Sequence, residues 1–207
     1  RRFTSVLDLG GGHGAPIPGL DTTTIITGDL SEAMLRRSGR QRPVALNEEY
    51  LPFGVNAFDL AVSTLSLHWV NDLPGALIQI RHALKPDGLF LAAILGGDTL
   101  IEMRRVLLEA DAETTGGTRP HTSPVADVAN AGGLLQRAGF ALPVVDTDTL
   151  TVTYTDMFSL MRDLRGMGEA NAVVARDRRF MRRDTLFSAA DKYQTFYADA
   201  NGRIPAT

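Results

Sequence analysis

The chain has 207 residues, 44% of them hydrophobic and 22% charged, with a net charge of −3, the balance of one globular domain with room for a large core. No block of lysine and arginine is long enough to follow a nucleic-acid backbone, which disfavours a nucleic-acid partner. The absence of cysteine removes disulfides, thiolate metal sites and cysteine nucleophiles together.

The run Phe3 to Leu9 predicts a buried strand, and glycines 10, 11, 12 and 14 then let the backbone turn where side chains would obstruct a ligand. Because Arg1 already stands at the approach to that strand, further chain is expected to precede it. A glycine turn at the carboxyl end of a parallel strand suits an adenosine-containing cofactor. Two motifs overlap there. Gly10-x-Gly12-x-x-Ala15, with Asp29 nineteen positions after Gly10, fits the dinucleotide fingerprint. Asp8-x-Gly10-x-Gly12-x-Gly14 resembles instead the first motif of the class I S-adenosylmethionine methyltransferases. In that family the acid approaches the methionine end of the cofactor, which suits a ligand carrying an ammonium and a sulfonium but no pyrophosphate.

Two prolines and a glycine in Ala15-Pro16-Ile17-Pro18-Gly19 predict that the first helix is short or distorted. Thr23 to Thr27 is rich in β-branched residues and predicts a second strand, followed by Asp29 and Leu30 on the cofactor side. A carboxylate at position 29 can accept from both ribose hydroxyls, contacts worth ~1.5–3 kcal/mol, or it can cap the Ser31-Glu32 helix start. Pro43 to Leu46 predicts a third strand, and Phe58 to Ser63 a fourth whose end puts Ser63 beside the cofactor. The intervening Asn47-Glu48-Glu49-Tyr50-Leu51-Pro52-Phe53 resembles the adenine-binding loop of the same family. There Asn47 replaces the usual Asp, and its amide oxygen can still accept from adenine, or it is a turn residue. Asn47 and the backbone at Glu48 are the expected adenine contacts.

His68 and Trp69 follow the fourth strand and should face the cofactor's reactive end. His68 is either a base or a hydrogen-bonded core histidine, and Trp69 either a cation–π wall or packing. Asp72 caps a helix with Pro74 in its first turn, and Lys85-Pro86-Asp87-Gly88 ends it. Leu89 to Leu95 is the fifth expected strand. Asp98, after Gly96-Gly97, is either the N-cap of a helix over Thr99 to Glu113 or a catalytic substrate contact.

Thr114 to Ser123 reads as a polar loop, and a helix from about Pro124 to Arg137 ends at Gly139. Val144 to Asp148 and Leu150 to Tyr154 predict a final antiparallel hairpin. Asp156 to Leu164 and Asp184 to Asp199 read as helices. The basic cluster Arg176, Arg178, Arg179, Arg182 and Arg183 reads as a solvated or partner-facing surface. The four histidines have no metal-ligand spacing, so no metal site is expected. No apolar run approaches the ~18 residues of a membrane span, and no signal-peptide pattern precedes the first strand.

Across nearly the whole chain, Phe58-Asp59-Leu60, Ser66-Leu67-His68-Trp69-Val70-Asn71-Asp72-Leu73-Pro74, Leu84-Lys85-Pro86-Asp87-Gly88, Gly96-Gly97-Asp98-Thr99-Leu100, Asp146-Thr147-Asp148 and Gly166-Met167-Gly168-Glu169 together resemble the complex I assembly factor branch of the family. The likeness implies one α/β domain over residues 1–207: a Rossmann-like, seven-stranded, mostly parallel sheet with an antiparallel last strand and helices on both faces. Residues 156–207 would be its helical, partner-facing part. It implies S-adenosylmethionine as cofactor, modification of an arginine on a complex I subunit, and a bacterial cytoplasm or a mitochondrial matrix as location. The biotin-pathway carboxyl methyltransferases share the Asp8 to Trp69 features. A methyl transferase acting on a small molecule or a carrier-bound carboxylate, and a non-catalytic assembly chaperone, are the alternatives.

Overall fold

The computed structural model describes residues 2–14, 17–18, 20, 24–40, 42–117, 128–169 and 180–207. The chain packs as two compact units, one of residues 1–95 with 126–145, the other of residues 96–125 with 146–207.

The first unit is built on a five-stranded parallel sheet of order β3-β2-β1-β4-β5. Its strands are β1 (Ser5–Leu9), β2 (Thr24–Asp29), β3 (Pro43–Ala45), β4 (Phe58–Thr64) and β5 (Leu84–Ala93). Alternate residues of the central strands feed opposite faces, as strand pleating requires. Leu7, Leu9 and Ala61 join Ile80, Ala83 and Leu67 in one cluster, while Val6, Leu60 and Val62 meet Ile17 and Leu20 on the other face. Helix α2 (Leu73–Ala83) buries Ala76, Leu77, Ile80 and Ala83, and Asp72 caps it by accepting from the Gly75 amide, as the sequence predicts. Phe53 meets Phe58 edge-on at 5.0 Å, so the Leu-Pro-Phe segment serves packing.

At the opposite end of the sheet from the glycine turn, Asp59 ties three strands together. Its carboxylate accepts from the Thr4 amide (3.1 Å), Thr4 Oγ1 (2.6 Å), the Ser5 amide (2.9 Å) and Lys85 Nζ (3.0 Å). The Thr4 hydroxyl first, then Lys85, hold this carboxyl well below its ordinary value of 3.8. A lowered folded-state pKa contributes stability that is present above the unfolded value and lost as pH falls through the folded one. Asp59→Asn is therefore expected to cost about 1–3 kcal/mol at neutral pH and to flatten the acid limb of the stability curve. Urea melts from neutral to acid pH check this, and parallel wild-type and variant curves would refute it.

In the second unit, α3 (Ile101–Thr115), α5 (Met157–Met167) and α6 (Arg183–Tyr197) share a core with a two-stranded antiparallel sheet. That sheet pairs β6 (Val152–Tyr154) with β7 (Ile204–Ala206). Tyr193, fully buried, donates its hydroxyl to the Pro205 carbonyl at 2.6 Å and so holds β7 to the helices. Asp156 caps α5 by accepting from the Ser159 amide.

Several sequence expectations are corrected. In place of the expected seven-stranded sheet, the described residues form five parallel strands and an antiparallel pair, within the same α/β class. Val144 to Asp148 forms no strand, and the Leu150 to Tyr154 segment pairs with a strand some fifty positions away rather than with its neighbour. Lys85-Pro86-Asp87-Gly88 is not a terminator outside the sheet. Helix α2 ends at Ala83, and these four residues bulge between the Phe58–Leu84 and Leu60–Leu89 pairs, with Asp87 left-handed at φ 58°. Thr114 and Thr115 belong to α3 rather than to a loop. Helix α4 runs Val128–Arg137, with Gly139 left-handed beyond its end. Residues 15, 16 and 19 of the expected first helix, 118–127 and Arg176, Arg178 and Arg179 lie outside the described residues.

Candidate functional site

In the strand order β3-β2-β1-β4-β5 the chain first extends the sheet to one side of β1 and then crosses to the other. The switch point lies at the carboxyl ends of β1 and β4, where ligands of open α/β sheets bind. The glycine turn leaves β1 at this edge. Its Gly10 amide donates to the Gly28 carbonyl at 2.8 Å, and Gly10 sits at φ 72°. A Cβ on Gly10 would collide with Ser66, and one on Gly11 would stand 2.5 Å from Asp8 Oδ2. Gly12 is also left-handed, at φ 45°, and the Gly14 amide closes the turn on the Gly11 carbonyl at 3.0 Å. The glycines are thus required by backbone shape and close approach.

Asp8 lies under this turn, 4% exposed, and its Oδ2 has no hydrogen-bond partner. Burial pushes its carboxyl above the usual range. Arg40, 3.6 Å away, and the adjacent Thr27 hydroxyl oppose the rise, while Asp29 adds to it. A buried acceptor left open costs stability unless something meets it, and an ammonium is the complement of a carboxylate.

Asp29 closes β2 and faces the turn. Its Oδ2 lies 3.3 Å from where a Gly12 Cβ would stand, and its Oδ1 accepts from the Ser31 amide at 2.7 Å. The helix-cap role open to Asp29 falls instead to its neighbour. Ser31 is the cap of α1 (Glu32–Ser38), and Asp29 keeps a carboxylate oxygen toward the glycines. Leu30, next in the chain, is 70% exposed.

Asn47 and Glu48 follow β3 on the same edge. The Asn47 side-chain oxygen accepts from the Glu49 amide at 2.9 Å and its carbonyl from Tyr50, so the oxygen expected at adenine closes a turn. The Glu48 side chain, which sequence reasoning passed over, accepts from Ser66 Oγ at 2.8 Å beside Gly10. Ser63 is fully buried between Leu9 and Ala92 in the ladder, and its hydroxyl has no partner.

His68 lies in a 3-10 turn, Leu67–Trp69, half-buried, with its ring 5.3 Å from that of Trp69. Asp98 belongs to the second unit and is exposed. The expectation that it caps α3 is corrected, because the helix starts at Ile101 after Leu100, which is left-handed at φ 53° and makes no side-chain cap bond. Thr99 donates to the Gly96 carbonyl and Ile101 to that of Asp98, so two successive turns take up the residues before the helix.

Asp8, Gly10, Gly12, Gly14, Asp29, Glu48 and Ser63 thus share one edge of the first unit. Thr27, Gly28, Arg40 and Ser66 were not visible as members of the set. Gly28 alone carried a signal, a glycine directly before the acid, and a Cβ there would stand 2.5 Å from Leu46 Cδ2. The unpaired Asp8 oxygen and the glycine-rich turn fit a cationic nucleoside better than a pyrophosphate, which a buried carboxylate would repel.

A methyltransferase-domain family matches residues 7–92. The human mitochondrial arginine-hydroxylase NDUFAF5 is 47% identical over 214 aligned positions, covering all of this chain and 62% of the human protein. The chain therefore spans less than two thirds of that relative's length. A malonyl-[acyl-carrier protein] O-methyltransferase of Xylella fastidiosa is 34% identical over 98% of this chain and 70% of its own length. Among solved structures, an S-adenosylmethionine dependent methyltransferase from Mesorhizobium loti superposes with a TM-score of 0.54 at 21% identity, over 81% of this chain and 83% of that one. The chain belongs to the methyltransferase family and carries its α/β fold.

Proposed function

We propose that the chain binds S-adenosylmethionine at the carboxyl edge of its parallel sheet and modifies an arginine of a protein partner, a complex I subunit, during assembly. The observation that carries the cofactor half is the buried Asp8 carboxylate with an unpaired oxygen directly beneath the glycine turn. In this assignment Asp8 meets the ammonium of the methionine moiety, and Gly10, Gly12 and Gly14 give the backbone room to approach it. Asp29 accepts from the ribose hydroxyls, with Leu30 against the adenine face. Asn47 is committed to its turn, so the adenine edge is left to the backbone at Glu48.

When bound, the cofactor would supply a sulfonium-activated methyl group for methyl transfer, which needs no protein nucleophile; adding one oxygen to an arginine instead requires an external oxidant, molecular oxygen with two electrons and two protons, the second oxygen atom leaving as water. The chain's own work is to hold the reacting partners in line and to exclude water. His68, in the 3-10 turn after β4, is assigned the proton-handling role. Asp98, in the second unit, is given no role in this assignment. The arginine-directed half rests on the human relative, named an arginine-hydroxylase and 47% identical over this whole chain. The second unit, with residues 156–207, is assigned to the partner side. A bacterial cytoplasm or a mitochondrial matrix follows from the same likeness.

A second reading is favoured by the Xylella relative: methyl transfer to a carrier-bound carboxylate. Intact-mass analysis of the complex I subunit from cells with and without this gene separates them. One added oxygen that disappears with the gene is the expected result. One added methylene instead would mean that the partner's arginine is methylated. An unchanged subunit would remove the arginine-modifying reading and leave carboxylate methylation or a non-catalytic chaperone.

A further inference from the structure

Arg40 has no place in the motifs that carry the cofactor assignment, yet it reaches the glycine turn from the loop after α1. Gly39 ends that helix at φ 65°, and the Arg40 amide is then held by Ser38 Oγ at 3.2 Å, which aims the side chain back over the sheet edge. Its Nη2 donates to the Gly14 carbonyl at 3.0 Å and stands 3.6 Å from Asp8 Oδ2. Both side chains are enclosed, 12% exposed for Arg40 and 6% for Asp8. The guanidinium therefore spans the turn, from the carboxylate that precedes its first glycine to the carbonyl of its last.

Resting on the cofactor assignment above, we propose that Arg40 is a positioning residue for S-adenosylmethionine, which braces Gly14 and gives Asp8 a positive neighbour without taking the oxygen that the ligand's ammonium needs. The distances make that division of labour physical. At 3.0 Å the contact with Gly14 is a hydrogen bond that fixes the end of the turn, whereas 3.6 Å to Asp8 exceeds hydrogen-bond length and acts by charge alone. The charges that act on Asp8 are Arg40 and the like-charged Asp29, and Thr27 adds a dipole. Without Arg40, burial and Asp29 would both favour the neutral acid, which cannot attract an ammonium. Removal of the arginine should therefore appear as a pH dependence of ligand binding that the wild-type protein lacks.

The test is calorimetric titration of S-adenosylhomocysteine, which retains the ammonium, into wild type, Arg40→Met and Arg40→Lys from about pH 5.5 to 7.5, a window in which the ligand's amine stays largely protonated. Wild-type affinity is expected to be flat across this window. Arg40→Met should bind at least tenfold more weakly at the acid end and recover as pH rises and Asp8 ionises unaided. Arg40→Lys, which restores the charge, should restore the flat profile even if Gly14 is held less well. Wild-type affinity and a flat profile in Arg40→Met would overturn the proposal, and so would a uniform loss at every pH that lysine does not repair. If Arg40→Met does not fold, the lysine variant decides alone, since a sloping profile there contradicts a role carried by charge. Failure of the wild-type protein itself to bind would instead sink the cofactor assignment, and the Arg40 role with it.

Discussion

Gly10→Ala is expected to abolish measurable S-adenosylhomocysteine binding and to destabilise the protein by about 2–5 kcal/mol, from about 1–2 for a left-handed alanine and about 1–3 for overpacking. The residue sits at φ 72° with its amide donated to Gly28, so the backbone cannot relax without breaking the link between β1 and β2. A Cβ there would meet Ser66 Cβ as well as its hydroxyl, and Ser66 is in turn held by Glu48. Relief has to come from moving the turn, and the turn is where the ligand is expected. Gly54→Ala is the matched control. Gly54 has open space around its Cβ position and no positive φ, so its substitution should stay within about 0.5 kcal/mol and keep full affinity. Urea melts and calorimetry on the two variants check this. Equal binding by both would show that the turn's shape is not what the ligand reads.

Asp8→Asn should separate stability from binding. The substitution keeps the shape, removes a buried charge and is expected to weaken S-adenosylhomocysteine about tenfold to a hundredfold, the worth of one charge-assisted hydrogen bond. Stability should move the other way or not at all. The folded-state pKa of Asp8 is raised, so its contribution is fully present below the ordinary value of 3.8 and declines as pH rises through the folded value. Asparagine does not undergo that decline, so at neutral pH the variant should melt no lower than wild type. A loss of stability together with unchanged affinity would make Asp8 a structural residue and nothing more. Such opposition between function and stability is expected where a site keeps a polar group unsatisfied for its ligand.

The sheet edge was legible because it is written locally. Apolar and β-branched runs marked β1, β2 and β4, the first two ending at glycine or acid, and the Asp72 cap was visible as a short polar residue before an apolar-periodic run. What failed was non-local or cumulative. Strand β6 was expected to pair with its neighbour across Thr149, but it pairs with Ile204–Ala206, a choice made by burial of Ile204 and Ala206 against Tyr193 that no local periodicity encodes. Asp98 matched a cap pattern. Two consecutive turns displaced the start of α3 to Ile101, and local spacing could not show that. In the site, Asp8 and Asp29 stood out by their positions relative to the glycines, whereas Arg40 is one arginine in a polar connection and gains meaning only when the α1 end folds back over the turn. The Asn47 turn was foreseen as an alternative, but only the Glu49 amide at its oxygen distinguishes it from an adenine contact.

In the proposed function this glycine turn, underlain by a carboxylate, receives a cationic nucleoside and not a dinucleotide. Parallel calorimetric titrations of the wild-type protein with S-adenosylhomocysteine and with NAD test it most directly. Saturable binding of S-adenosylhomocysteine with no heat from NAD is the predicted result; binding of NAD without S-adenosylhomocysteine would contradict it.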